Sequence, residues 1–183
     1  MELFKNIRLS IAKRSLRNKS RKLRRRKSFC NIKSARKIGV VWDASNADDF
    51  QVIASFQQRM AEREIGVEVI GYYPGKVLPD RYTAVRYLAC LKKGDLNMFY
   101  IPDNMETTSF INKPYNILLD LNRNSYFPLT FISALSQAEF KVGLYKDSKS
   151  EEIFDLLIET EKGRNLEYRL EQAVLYLEMI NKG

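Results

Sequence analysis

The sequence contains no histidine. That removes histidine-based triads, histidine general bases and histidine-ligated metal centres. Any catalysis would fall to carboxylates, lysine, tyrosine, serine or a bound cofactor. Cysteine is scarce: Cys30 and Cys90 lie far apart and form no CxxC pair. This predicts no disulfide framework and fits a reducing compartment. No apolar run approaches the roughly 20 residues that span a bilayer. The opening MELFKNIRLSIAKRSLRNK interrupts its apolar residues with charged and polar ones, which predicts no secretory signal. Neither GxGxxG nor GxxxxGK[ST] occurs, so a dinucleotide fingerprint and a P-loop are both missing.

Acidic residues are almost absent from the first fifth of the chain. Residues 1–37 carry fifteen Lys and Arg against one acid, Glu2, a net charge of +14. Residues 38–183 carry −5, so the overall +9 belongs to the N-terminal arm rather than to the body. The density peaks in KSRKLRRRKSF at residues 19–29, where seven of eleven residues are basic. A block of this kind serves as an interaction arm for an anionic surface.

The arm also lacks proline and glycine up to residue 36. Leu3, Ile7 and Ile11 recur at four, and Leu9, Leu16 and Leu23 recur at seven. These two stripes predict a helix over residues 3–27. Arg24 to Lys27 place four like charges in one turn, so the helix should fray there until an anion binds.

From Lys37 the pattern changes to short apolar runs. KIGVVWDAS reads as a buried strand ended by Asp43. Asp48 and Asp49 open a helix in which Phe50, Ile53, Ala54, Met60 and Ala61 share a helical spacing, and Gly66 marks its stop. VEVIGYY is a second strand, closed by Pro74 and Gly75, which makes a parallel strand–helix–strand unit. RYTAVRYLACLKKGDL reads as a short helix or a surface loop, and NMFYIPDN as a strand stopped by Pro102. YNILLDLN is a strand ended by Asp120. FPLTFISALSQA is a helix with Pro128 in its first turn. FKVGLYKDS is a strand; IFDLLIET is either a strand or a helix turn, and the turn expected from Asp147 to Ser150 before it favours a strand. Asn165 caps a final helix whose face is Leu166, Leu170, Ala173, Val174, Leu177 and Ile180.

The alternation predicts a basic helical arm, residues 1–37, and an α/β domain, residues 38–183. The domain should have three layers and a mainly parallel sheet of five or six strands, Rossmann-like or flavodoxin-like. Trp42 reads as core rather than as a ligand platform. Tyr72, Tyr73, Tyr100 and Tyr115 fall on expected strands, where packing accounts for them. YYPGK reads as a plain turn rather than a phosphate site.

Ligands of open α/β sheets bind at the carboxyl ends of the strands. Those ends carry Asp43, Asn46, Asp103 and Asp120. Converging carboxylates hold Mg²⁺ through hard oxygens and can activate water for phosphodiester attack, with Asp43 and Asp120 as the metal ligands. VVWDASNADDF resembles the first strand and acidic turn of PIN/NYN-type ribonucleases, matching at Asp43, Ser45 and Asn46. NRNSYFPLTFISALSQAEFKVGLY resembles a later segment of that family, but Tyr126 stands where the family has an acidic metal ligand.

A broader resemblance rests on the runs LSQAEFKVG, residues 135–143, and FDLLI, residues 154–158. Together with the C-terminal amphipathic helix they resemble a family of small bacterial α/β proteins of unknown function. That resemblance implies the α/β fold and a cytoplasmic bacterial setting, and implies no reaction.

The arm carries the functional expectation. Lys13, Arg14, Arg17, Lys19, Arg21, Lys22, Arg24, Arg25, Arg26 and Lys27 are the expected phosphate contacts. No helix-turn-helix, homeodomain or zinc-finger pattern is present to read DNA bases, and an Arg-rich segment that orders on binding is a common route to RNA. The sequence therefore predicts a non-enzymatic, RNA-associated and ribosome-associated protein without a cofactor. A metal-dependent ribonuclease and a peripheral protein on an anionic membrane surface are the alternatives. No small-molecule substrate is identified.

Overall fold

The computed structural model describes residues 2–144, 150–159 and 163–180. Six parallel strands form one sheet: β1 Lys37–Asp43, β2 Gly66–Tyr73, β3 Leu88–Lys92, β4 Ile117–Leu121, β5 Phe140–Gly143 and β6 Leu156–Leu157. Their order is β3-β2-β1-β4-β5-β6. This is the doubly wound order of Rossmann-type sheets, in which the chain reverses its direction of travel at β1. The α/β fold expected from the sequence is present, and the flavodoxin order is not.

A parallel sheet covered on both faces needs apolar residues on both sides of each strand. In β1 the side chains of Ile38, Val40 and Trp42 enter one core and that of Val41 enters the other. The first core is closed by α2 (Asp49–Ala61) and α7 (Leu166–Met179), and the second by α4 (Met105–Asn112) and α5 (Phe127–Leu135). Gly39 is needed for this packing, because a Cβ there would lie 2.8 Å from the Tyr115 ring. Asn165 caps α7 as expected, its side chain accepting from the Tyr168 N–H at 2.9 Å. Two short helices complete the described chain, α3 (Asp80–Thr83) and α6 (Ser150–Ile153). The turn expected from Asp147 falls at residues outside those described, and Ser150 opens α6.

Two local readings are corrected. NMFYIPDN is not a strand: Tyr100 sits at φ 61° in a turn bridged by Leu96 and Pro102. The strand lies earlier, in LACLK, where β3 forms a half-buried sheet edge. Its incomplete apolar alternation hid it.

The largest correction concerns the arm. The helix α1 spans Glu2–Lys22 and stops before the four consecutive cations, as like-charge repulsion dictates. Residues 23–36 then run along the body instead of fraying from it. Ser28 N–H donates to the Glu139 carbonyl at 3.1 Å. The Asn31 amide donates to the carbonyls of Glu178 and Ile180 at the end of α7, both at 2.8 Å. Cys30, Ile32 and Ala35 are buried in the first core. A division at residue 37 therefore cuts through packed structure, and removal of residues 1–36 would open the core.

Candidate nucleic-acid interface

The helix α1 lies across the outer surface of α5. Ala12 and Leu16 are buried, and Leu16 packs with Phe131, Ala134 and Leu135. Of the two apolar stripes, the one through Leu9, Leu16 and Leu23 turns inward. The other stays open, with Leu3 and Phe4 each 69% exposed and Ile7 and Ile11 near half.

Between α1 and the body runs an open cleft of about 1470 Å³. Among the described residues nine of its lining side chains are basic and one, Glu152, is acidic. Lys13, Arg17, Arg21, Arg24, Arg25 and Lys27 come from the arm, as expected. Arg14 lines a shallow pocket on the flank of α1 with Lys13 and Arg17. Lys19 instead sits over the Phe131 ring, 5.4 Å from its centroid, and helps to seat the helix. Lys22 and Arg26 are exposed but outside the cleft.

Arg25 has a different role from its neighbours. Its Nη2 donates to both carboxylate oxygens of Asp155, at 2.5 and 2.6 Å, and its Nη1 to the carbonyls of Ala138 and Glu139. The side chains are only 7% and 12% exposed. Burial alone would raise the Asp155 pKa, but the Arg25 hydrogen bonds and the Lys141 backbone N–H overcome this and hold it below the ordinary value. Arg25 thus fastens the segment after α1 to the body. Lys27 joins the same carboxylate from the solvent side, at 3.3 Å.

The body adds residues that sequence reasoning passed over. Lys93 and Lys141, with Lys5 from the start of α1, complete the basic lining, and Tyr72, Tyr100, Tyr126 and Phe127 form an aromatic part of the wall. Lys141 is 1% exposed, with Nζ donating to the Ala134 carbonyl at 3.0 Å. Burial pushes its pKa down to about 7, with Arg25 and Lys27 reinforcing the shift and Asp155 opposing it. The signal for Lys141 was available: Phe140 and Val142 face one core, so a lysine between them must enter the layer beneath α5. Tyr100 carried no such signal, because it was assigned to a strand that does not form.

The strand-end carboxylates gather in part. Asp43 and Asp120 end the adjacent strands β1 and β4, at the point where the strand order reverses. Their oxygens are committed to local structure. Asp43 accepts from Ser45 N at 3.1 Å, from Asn124 N at 3.0 Å and from the Asn124 amide at 2.8 Å. Asp120 accepts from Asn122 N at 2.8 Å and from the Ser133 hydroxyl. The Asn46 amide donates to Asp49, which also pairs with Arg123 at 3.2 Å. Burial raises the Asp49 pKa, Arg123 opposes this and Asp43 adds to it. Asp103 is exposed in the loop after β3, with β2 intervening between its strand and β1. Among the described residues no three metal-ligating side chains come together. Tyr126 lines the cleft. Trp42 is fully buried, beside Phe50 and Tyr82. Among the described residues no helix is long and apolar enough to cross a membrane.

The chain belongs to a family of unknown function, DUF6913, whose profile matches residues 8–180. The match takes in most of α1 as well as the whole sheet, so the basic helix is part of the family's domain. No curated protein matches the chain.

Proposed function

We propose that this member of a family without assigned activity binds RNA and does not transform it, holding the phosphate backbone in the cleft between α1 and the body. The observation that carries this reading is the convergence, among the described residues, of nine basic side chains and one acid on the lining of one cleft. Asp155 balances one of the two charges of Arg25 and Lys27, and Lys141 is buried against the Ala134 carbonyl; the exposed Lys5, Lys13, Arg17, Arg21, Arg24 and Lys93 leave a surplus of positive charge at the opening. Such a surplus attracts polyanions by counterion release and without sequence choice. Ribosomal RNA is the proposed source, since charge-led phosphate contacts without a DNA-reading motif suit a large, abundant RNA with unpaired segments. The hydrogen-bonded state of Asp43 and Asp120 supports binding over hydrolysis.

Titration of RNA against salt tests this. The affinity should fall steeply, and Arg17→Gln combined with Arg21→Gln and Arg24→Gln should flatten the log–log slope by about 2, at roughly 0.7 per single-strand phosphate contact. A wild-type slope near zero would remove the proposal. The RNA should be recovered intact after incubation with Mg²⁺; cleavage that Asp43→Asn abolishes would favour the nuclease instead.

A second reading has its own observation, the open stripe of Leu3, Phe4, Ile7 and Ile11 on a helix rich in Lys and Arg. Basic helices with an apolar stripe lie on anionic membranes. Flotation with vesicles containing anionic lipid, compared with neutral ones, separates it from the first.

A further inference from the structure

The cleft has one wall of cations and another that is partly aromatic. Tyr100 and Tyr126 are each half-buried and face the same opening, as does Phe127. They come from two loops at the carboxyl ends of β3 and β4. Tyr126 is held in orientation by Tyr72, edge to face at 5.2 Å between centroids. Among the described residues, two of the three non-glycine positive-φ positions lie here as well: Tyr100 itself at 61°, and Ser125, immediately before Tyr126, at 50°. A bulky residue in the left-handed region is an outlier that costs backbone energy. The third, Glu64, lies in the turn after α2, where its N–H donates to the Ala61 carbonyl.

Cations along one side and partly exposed aromatic side chains on the other supply the two components by which proteins hold unpaired strands. Phosphate contacts alone would accept duplex and single strand alike. Stacking faces are useful only where bases are splayed out, because a duplex buries its base faces in its own stack. The cation wall is long enough for several nucleotides: α1, at 21 residues, extends about 31 Å at 1.5 Å per residue.

We propose that the cleft selects single-stranded RNA, with α1 contacting phosphates and Tyr100, Tyr126 and Phe127 stacking on bases. This rests on the RNA-binding reading above and adds to it the state of the RNA. The hydroxyls are not required, since stacking uses the ring faces. Sequence preference should be weak, because every base offers such a face.

The test uses the full-length protein and fluorescence anisotropy, with a uridine oligomer of roughly 10 nucleotides and an RNA duplex of the same length as probes. The single strand should bind more tightly. Tyr100→Ala and Tyr126→Ala should each weaken its binding by about 5- to 150-fold, with the salt slope unchanged. Tyr100→Phe and Tyr126→Phe should retain wild-type affinity. Tyr100 lies in a surface turn, so its variant remains informative if Tyr126→Ala fails to fold. Equal affinity for the duplex, or alanine variants within about twofold of wild type, would overturn the stacking proposal and leave the phosphate reading intact. Absence of binding to either probe at low salt would remove both.

Discussion

Arg25→Ala is expected to lower the unfolding free energy by about 3–5 kcal/mol, as is Asp155→Ala. Most Lys and Arg substitutions in the arm should cost far less, because exposed charges contribute about 0–1 kcal/mol each. The difference lies in desolvation. Arg25 and Asp155 have both left water, and each satisfies the other through two hydrogen bonds. Removing Asp155 strands Arg25 as a buried charge, and removing Arg25 leaves Asp155 with only the solvent-side Lys27 and the Lys141 N–H. Replacing both at once by Met and Leu should restore most of the loss, because the desolvation cost then disappears with the pair. Arg25→Lys should not rescue, since an ammonium cannot reproduce the fork that also reaches the Ala138 and Glu139 carbonyls. The fold holds the Asp155 pKa below its ordinary value of 3.8, so the pair's contribution is complete above about pH 4 and declines as the pH falls further. Urea unfolding of the single and double variants checks this. Single-variant losses under about 1 kcal/mol would place the pair among ordinary surface contacts.

Lys141→Met should have the opposite sign and stabilise the protein at neutral pH. The folded pKa of about 7 lies below the ordinary 10.5, so the unfolded chain binds a proton between those values and the folded chain does not. Stability therefore falls as the pH is lowered from about 10 to about 7 and loses nothing further from this group below that. At roughly 1.4 kcal/mol per pH unit the penalty at neutral pH is of the order of 4 kcal/mol. The variant also forfeits the hydrogen bond to the Ala134 carbonyl, about 1 kcal/mol, so a net gain of roughly 2–3 kcal/mol is expected. Unfolding at pH 7 and at pH 10 separates the causes. The advantage of the variant should shrink at the higher pH. An advantage that does not change with pH would mean that Lys141 is charged in the folded protein.

The sheet was readable from sequence because buried parallel strands are nearly continuous apolar runs. Val40 and Val41, Ile117 to Leu119, and Phe140 to Val142 all mark themselves in this way, with Asp43 and Asp120 as punctuation. The strand β3 did not, because an edge strand needs less apolar cover, and Arg86 before it and Lys92 at its end read as surface. The arm was readable as charge and as a helix, and its end followed from repulsion among Arg24 to Lys27. What one strand of text could not show was pairing across distance. Arg25 and Asp155 are 130 positions apart, and nothing local distinguishes Arg25 from Arg24 or Arg26. The same holds for the cleft, whose aromatic wall depends on two loops meeting α1 in space. Asp43 and Asp120 were correctly placed at strand ends, but the Asn124 and Ser133 donors that occupy them were not foreseen.

Photocrosslinking of a thiouridine-substituted single-stranded RNA to the full-length protein, followed by mapping of the modified peptides, tests the central claim most directly. Crosslinks should concentrate at Tyr100, Tyr126 and Phe127 and on the cleft-facing side of α1, and should vanish at high salt. Crosslinks centred on the crevice between Asp43 and Asp120, or on α7, would contradict it.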